Sequence, residues 1–90
     1  MMVSNYKVMD GVNDMARVCI IDDKDVMRSS LTDILTAQGK EVTAYADPHH
    51  ALQEVCTLQF DAIVCDLKMP GMDGIELLRA LRLRGVETPF

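Results

Sequence analysis

Phe60-Asp61-Ala62-Ile63-Val64-Cys65-Asp66-Leu67-Lys68-Met69-Pro70-Gly71-Met72-Asp73-Gly74 is the stretch whose reading decides the fold. Ala62, Ile63, Val64 and Cys65 run without a polar break, the pattern of a short strand covered on both faces. Asp66 follows at the carboxyl end of that run, at the mouth of a Pro/Gly turn. Asp73 with Glu76 three residues on is a carboxylate version of the capping box, and it predicts a helix over residues 75–84. The stretch therefore delivers one carboxylate to a turn between a buried strand and a helix.

Working outward, the same logic recurs upstream. Residues 18–21 form a second apolar run that also ends in acid, at Asp22 and Asp23. Residues 25–38 place Met27, Leu31, Ile34 and Leu35 on one helical stripe, with Gly39 where a helix C-terminal glycine belongs. Residues 41–46 hold β-branched and aromatic residues suited to a strand, and Asp47-Pro48 supplies an N-cap with proline at the first helical position. Ala51, Leu52, Val55 and Cys56 form the apolar face of that second helix. The order is β-α-β-α-β-α. Alternating strands and helices require crossovers, and crossovers favour an open parallel sheet of the α/β class with helices on its faces. Ligands of such sheets sit beyond the carboxyl ends of the strands, the edge at which Asp22, Asp23 and Asp66 arrive.

Composition excludes several function classes. A chain of 90 residues, 49% apolar, allows one domain. A net charge of −5 and a pI near 4.7 argue against direct nucleic-acid binding, which needs a basic footprint to neutralise phosphates. No apolar stretch approaches the roughly 18 residues of a membrane span. Cys19, Cys56 and Cys65 are odd in number and lie in apolar periodic segments, the pattern of buried thiols in a reducing cytoplasm. Residues 1–15 lack periodicity and mix Gly, Asn, Asp and Ser, so they read as a flexible leader, with Met15 as an alternative start.

Charge then dictates chemistry. Two carboxylates about 5 Å apart repel by roughly 3 kcal/mol at an effective dielectric near 20, so three at one point raise one another's pKa or recruit a cation. Magnesium suits an acidic pocket without His or Cys ligands, since it takes one or two carboxylates, keeps waters and accepts phosphate oxygens. Calcium fits less well, because no D-x-[DN]-x-[DN]-G loop is present. With a hard cation bound, one carboxylate can attack a phosphoryl group to give an aspartyl phosphate.

Ile20-Ile21-Asp22-Asp23, followed by Val64-Cys65-Asp66-Leu67-Lys68-Met69-Pro70-x-Met72-Asp73-Gly74, resembles the receiver domain of bacterial two-component response regulators, and the resemblance runs over residues 17–90. It implies a flavodoxin-like fold with Asp66 as phosphoacceptor. It further implies Mg²⁺ ligated directly by Asp23, through water by Asp22, and by Asp66 and the backbone carbonyl of Lys68. Met69-Pro70 and residues 71–74 would shape the loop beside the acceptor. By the same resemblance the phosphoryl donor is a histidine kinase or phosphotransfer protein, and the chain is a signalling switch for an output domain or partner, not an enzyme. The family continues with a hydroxyl residue after a fourth strand and a lysine after a fifth. Here Thr88-Pro89-Phe90 reads as the entry to a fourth strand and the sequence stops, so residues 16–90 are expected to form a receiver truncated after its third βα unit, with strand order 2-1-3. Lys24 and Lys68 lie in loops and are not assigned the absent lysine's role. The third strand becomes an edge, through which dimer pairing is possible.

Blander readings stand beside these. Asp22 and Asp23 could cap the first helix, and Asp66 could be a plain loop acid. His49 and His50 open a helix where exposed polar residues are ordinary; Glu76, Arg79 and Arg82 read as a solvated face; Cys65 reads as packing rather than redox sensing. Two other functions remain in view. Asp23-Lys24-Asp25-Val26 matches the D-x-D-x-[TV] nucleophile motif of haloacid-dehalogenase-type phosphatases, and a truncated receiver could serve interaction alone without phosphotransfer.

Overall fold

The computed structural model describes residues 16–90, so the leader expected over residues 1–15 lies outside the described residues. Six elements alternate along the chain: β1 (Arg17–Ile21), α1 (Asp25–Ala37), β2 (Glu41–Tyr45), α2 (Pro48–Val55), β3 (Ala62–Cys65) and α3 (Gly74–Leu83). The strands form one parallel sheet in the order β2-β1-β3, as the crossover argument requires. Val18 lies opposite Val42 and Ala62, and Ile21 lies opposite Tyr45 and Cys65. This register brings the carboxyl ends of β1 and β3 level.

Side-chain alternation divides the core between the two faces of the sheet. Cys19, Ile21, Ile63 and Cys65 face α2 and α3, where they pack with Leu52, Val55, Leu77 and Leu81. Each fully buried aliphatic side chain there contributes about 1.5–3 kcal/mol by removal from water. Val18, Ile20 and Val64 face the other way, against Leu31 and Leu35 of α1. That second cluster is small, and the expected stripe on α1 is only half covered. Met27 and Ile34 remain 42% and 55% exposed, and no residue of α1 is buried. The cluster that α1 packs against consists of Val18, Ile20 and Val64, with Val42 beside them.

Local signals set the helix ends. The Asp47 side chain accepts the His49 N–H at 2.9 Å, with Pro48 in the first turn of α2. Asp73 and Glu76 form the expected reciprocal capping box at α3, at 2.8 and 3.1 Å. Gly39 follows the end of α1 with a φ of 83°, the left-handed conformation that glycine adopts without a Cβ clash. One expectation fails here. Cys56 is exposed, because α2 ends at Val55 and leaves Cys56 as its C-cap, outside the core. The edge of β3 is also engaged at one point: the Ile63 N–H donates to the Pro89 carbonyl at 2.8 Å, and Phe90 packs against the larger cluster. Among the described residues no helix is long and apolar enough to cross a membrane.

Candidate functional site

The ladder bonds of the sheet continue past the strands and fix where the acids sit. The Asp22 N–H donates to the Tyr45 carbonyl at 3.1 Å, and the Asp66 N–H donates to the Ile21 carbonyl at 2.9 Å. Both backbones are thereby held in parallel register at the same sheet edge. One carboxylate oxygen from each of Asp22, Asp23 and Asp66 lies within 4.8 Å of the others. Asp22 is 2% exposed, whereas the side chains of Asp23 and Asp66 keep 30% and 17%. The sequence-predicted side chains are therefore brought to one point, open to solvent on one side.

Asp22 is the buried member. Its Oδ1 accepts the Lys24 N–H at 2.9 Å, and its backbone carbonyl accepts from the Arg28 guanidinium at 2.8 Å. The capping reading does not hold: the N-cap of α1 is Lys24 and carries no side-chain cap, and Asp22 instead closes a turn before the helix. A carboxylate this buried is stable when more than one dipole or a cation compensates it.

The cation present is Lys24, which its loop position left without an assigned role in the sequence. Lys24 Nζ lies 2.6 Å from Asp66 Oδ2 and 3.5 Å from Asp23 Oδ1. Among the described residues it is the only side-chain cation paired with these three carboxylates. Asp66 Oδ1 accepts the Lys68 N–H at 3.1 Å. The hydrogen bond from Lys24, then that from the Lys68 amide, holds the Asp66 carboxyl below the usual carboxylate range, and the same pairing with Asp66 pushes the Lys24 ammonium up. Asp66 is accordingly a carboxylate at neutral pH, the form a nucleophile needs.

The loop after Asp66 is held against α3 by close contact. The Gly74 N–H donates to the Leu67 carbonyl at 3.0 Å, and a Cβ at Gly74 would stand 2.7 Å from the Asp66 carbonyl oxygen. Gly74 is needed for space and not for an unusual backbone angle, since the positive-φ glycines are Gly39, Gly71 and Gly85. Cys65, immediately before Asp66, is fully buried, and burial pushes its thiol up to about 12. It packs and does not present a thiolate.

The donor set fits a hard divalent cation. It consists of carboxylate oxygens, one of them on a nearly inaccessible side chain, with a lysine ammonium already drawn among them. Asp22, Asp23 and Asp66 are the side chains that could hold such an ion. His49 and His50 stand apart: the His49 amide is taken by the Asp47 cap, and the His50 ring meets Tyr45 edge-on with centroids 5.1 Å apart. The phosphatase motif does not assemble either. Asp25 begins α1 and pairs with Arg28 instead of joining the cluster, and Val26 is 76% exposed.

Comparison with known proteins agrees with this geometry. The sequence profile of the response regulator receiver domain matches residues 18–90. The chain is 40% identical over 73 residues to the transcriptional regulatory protein FixJ of Bradyrhizobium diazoefficiens, covering 81% of this chain and 35% of that protein. The receiver domain of the Francisella response regulator 1452 superposes with a TM-score of 0.78 at 32% identity, over 82% of this chain and 61% of that one. The Thermotoga maritima response regulator TrrA, solved in complex with Mg²⁺ and BeF, superposes with a TM-score of 0.74 at 27% identity, over 78% and 61% of the two chains. The chain spans about a third of the length of the curated relative it matches at 40% identity. With profile, sequence and fold in agreement over the residues that carry the acidic edge, the chain belongs to the response regulator receiver domain family.

Proposed function

We propose that this chain takes a phosphoryl group onto Asp66 from a histidine kinase or phosphotransfer protein and serves as a cytoplasmic switch for an output domain or partner. The observation that carries this reading is the convergence of Asp22, Asp23 and Asp66 at one sheet edge, with Asp66 ionised and partly exposed. Asp22, Asp23, Asp66 and the backbone carbonyl of Lys68 would hold Mg²⁺. When bound, the ion supplies charge neutralisation for the phosphoryl oxygens. The chain's own residues do the rest. An Asp66 carboxylate oxygen forms the new O–P bond, and the bond from phosphorus to the donor's leaving group breaks with its electron pair going to that group. The Lys68 amide holds the other Asp66 oxygen and thereby orients the nucleophile. Among the described residues the β3 edge is engaged at Ile63, and a second copy could pair along the rest of it.

The test is the intact mass of the folded chain after incubation with acetyl phosphate and Mg²⁺. Gain of one phosphoryl group is expected, abolished by prior chelation and by Asp66→Asn, and reduced by Asp23→Ala together with Mg²⁺ affinity. Undiminished capture in the Asp66→Asn protein overturns the assignment. Saturable Mg²⁺ binding with no capture places this chain with the interaction-only alternative.

A further inference from the structure

Lys24 sits where a cation is wanted but reaches that place from an unusual anchor. Its backbone occupies the N-cap of α1, and its N–H is fastened to Asp22 Oδ1 at 2.9 Å. Its side chain spans the cluster to Asp66 Oδ2 at 2.6 Å, passing Asp23 Oδ1 at 3.5 Å. Two of the three carboxylates that could ligate a divalent ion are thus already touched by one ammonium. That side chain is nonetheless 57% exposed, so nothing packs it in place. Arg28, the next cation along the chain, is committed to the Asp22 carbonyl and to Asp25.

An ammonium and a divalent ion cannot share the same carboxylate oxygens at bonding distance, because like charges at such separations repel. Resting on the phosphoacceptor reading above, we infer that Lys24 is a tethered counterion that a divalent cation must displace from Asp66 before the site can load. Its backbone anchor keeps the released ammonium within one side-chain length of the cluster, so the exchange is local and reversible. Lys24 is on this account a positioning residue that sets the divalent-ion threshold of the site, weakening binding while protecting the empty cluster from its own repulsion.

The experiment is calorimetric titration of MgCl₂ into the wild-type chain, Lys24→Gln, Asp66→Asn and the double variant, at one pH and ionic strength. An exposed ion pair of this kind is equivalent to a factor of roughly two to five in an equilibrium constant, so Lys24→Gln should tighten Mg²⁺ binding by about two- to fivefold. In the Asp66→Asn background the tightening should shrink, because the 2.6 Å pair is gone and only the 3.5 Å contact with Asp23 remains. Unchanged or weaker binding in Lys24→Gln overturns the inference, and so does an equal gain in both backgrounds, which would mark a diffuse charge effect. Absence of saturable binding to the wild-type chain removes the metal-site reading itself, and the inference with it.

Discussion

Replacing Gly74 with alanine tests the packing that holds the Asp66 loop to α3. The added Cβ would stand 2.7 Å from the Asp66 carbonyl oxygen and 3.0 Å from the Leu67 Cα, both backbone atoms that cannot rotate away. Overpacking of this kind costs about 1–3 kcal/mol, and the gain from stiffening the unfolded chain returns about 0.4–1 kcal/mol. The net loss of about 1–2 kcal/mol is a large part of a stability on the order of 5 kcal/mol. In urea, with a slope of about 1–1.5 kcal/mol per molar, the midpoint should fall by roughly 1 M. Gly85 provides the contrast. It has a φ of 82° with nothing within 4 Å of a Cβ, so alanine there is opposed only by the backbone, by about 1–2 kcal/mol. Asparagine, which tolerates the left-handed region, should therefore exceed alanine at Gly85 and fall below it at Gly74, where bulk is the obstacle. Equal stability of wild type and Gly74→Ala, or the same residue order at both positions, would refute the steric argument.

Acid titration offers a second check. A carboxyl held below its ordinary range contributes stability at pH values above its unfolded pKa, and that contribution disappears as pH falls through the folded pKa. The stability difference between wild type and Asp66→Asn, measured without divalent ions, should consequently move against wild type as pH drops below about 4; a constant difference would mean that the Lys24 and Lys68 hydrogen bonds do not select the ionised form. Thiol chemistry offers a third. Burial pushes Cys19 and Cys65 up to about 12, so at pH 8 iodoacetamide should label exposed Cys56 first and the other two far more slowly unless the chain unfolds. Peptide mapping reads the order, and early labelling of Cys19 would contradict the buried core.

The acidic edge was legible because two independent signals coincide at Asp22 and Asp66. Each follows an uninterrupted apolar run, and parallel strands present equivalent ends to one side. Asp73 and Glu76 were legible because a capping box is local in sequence. Other features lacked such a signal. The Lys24 pairing joins residues 42 positions apart through a side chain with several rotatable bonds, so sequence spacing alone cannot aim it. Cys56 falls on the apolar stripe by period, yet the helix stops one residue before it. Gly74 reads as a turn glycine, and only the folded backbone reveals that its missing side chain makes room for the Asp66 carbonyl.

The unequal covering of the two sheet faces has a consequence for where this molecule opens. With no buried residue in α1 and fully buried side chains throughout β1 from Cys19 to Ile21, the helix is expected to open locally at a lower free energy than the strand. Asp22 and Asp66 are tied to the sheet, while Lys24 and the backbone that anchors it belong to the first turn of α1. The acidic edge therefore straddles a boundary in burial: two of its carboxylates follow buried strands, and their ammonium partner sits at the start of a helix with no buried residue. Asp22 joins the two parts, because its N–H is tied to the sheet while its Oδ1 and carbonyl accept from Lys24 and Arg28, so any loosening of the helix start is felt first at the buried member of the acidic trio.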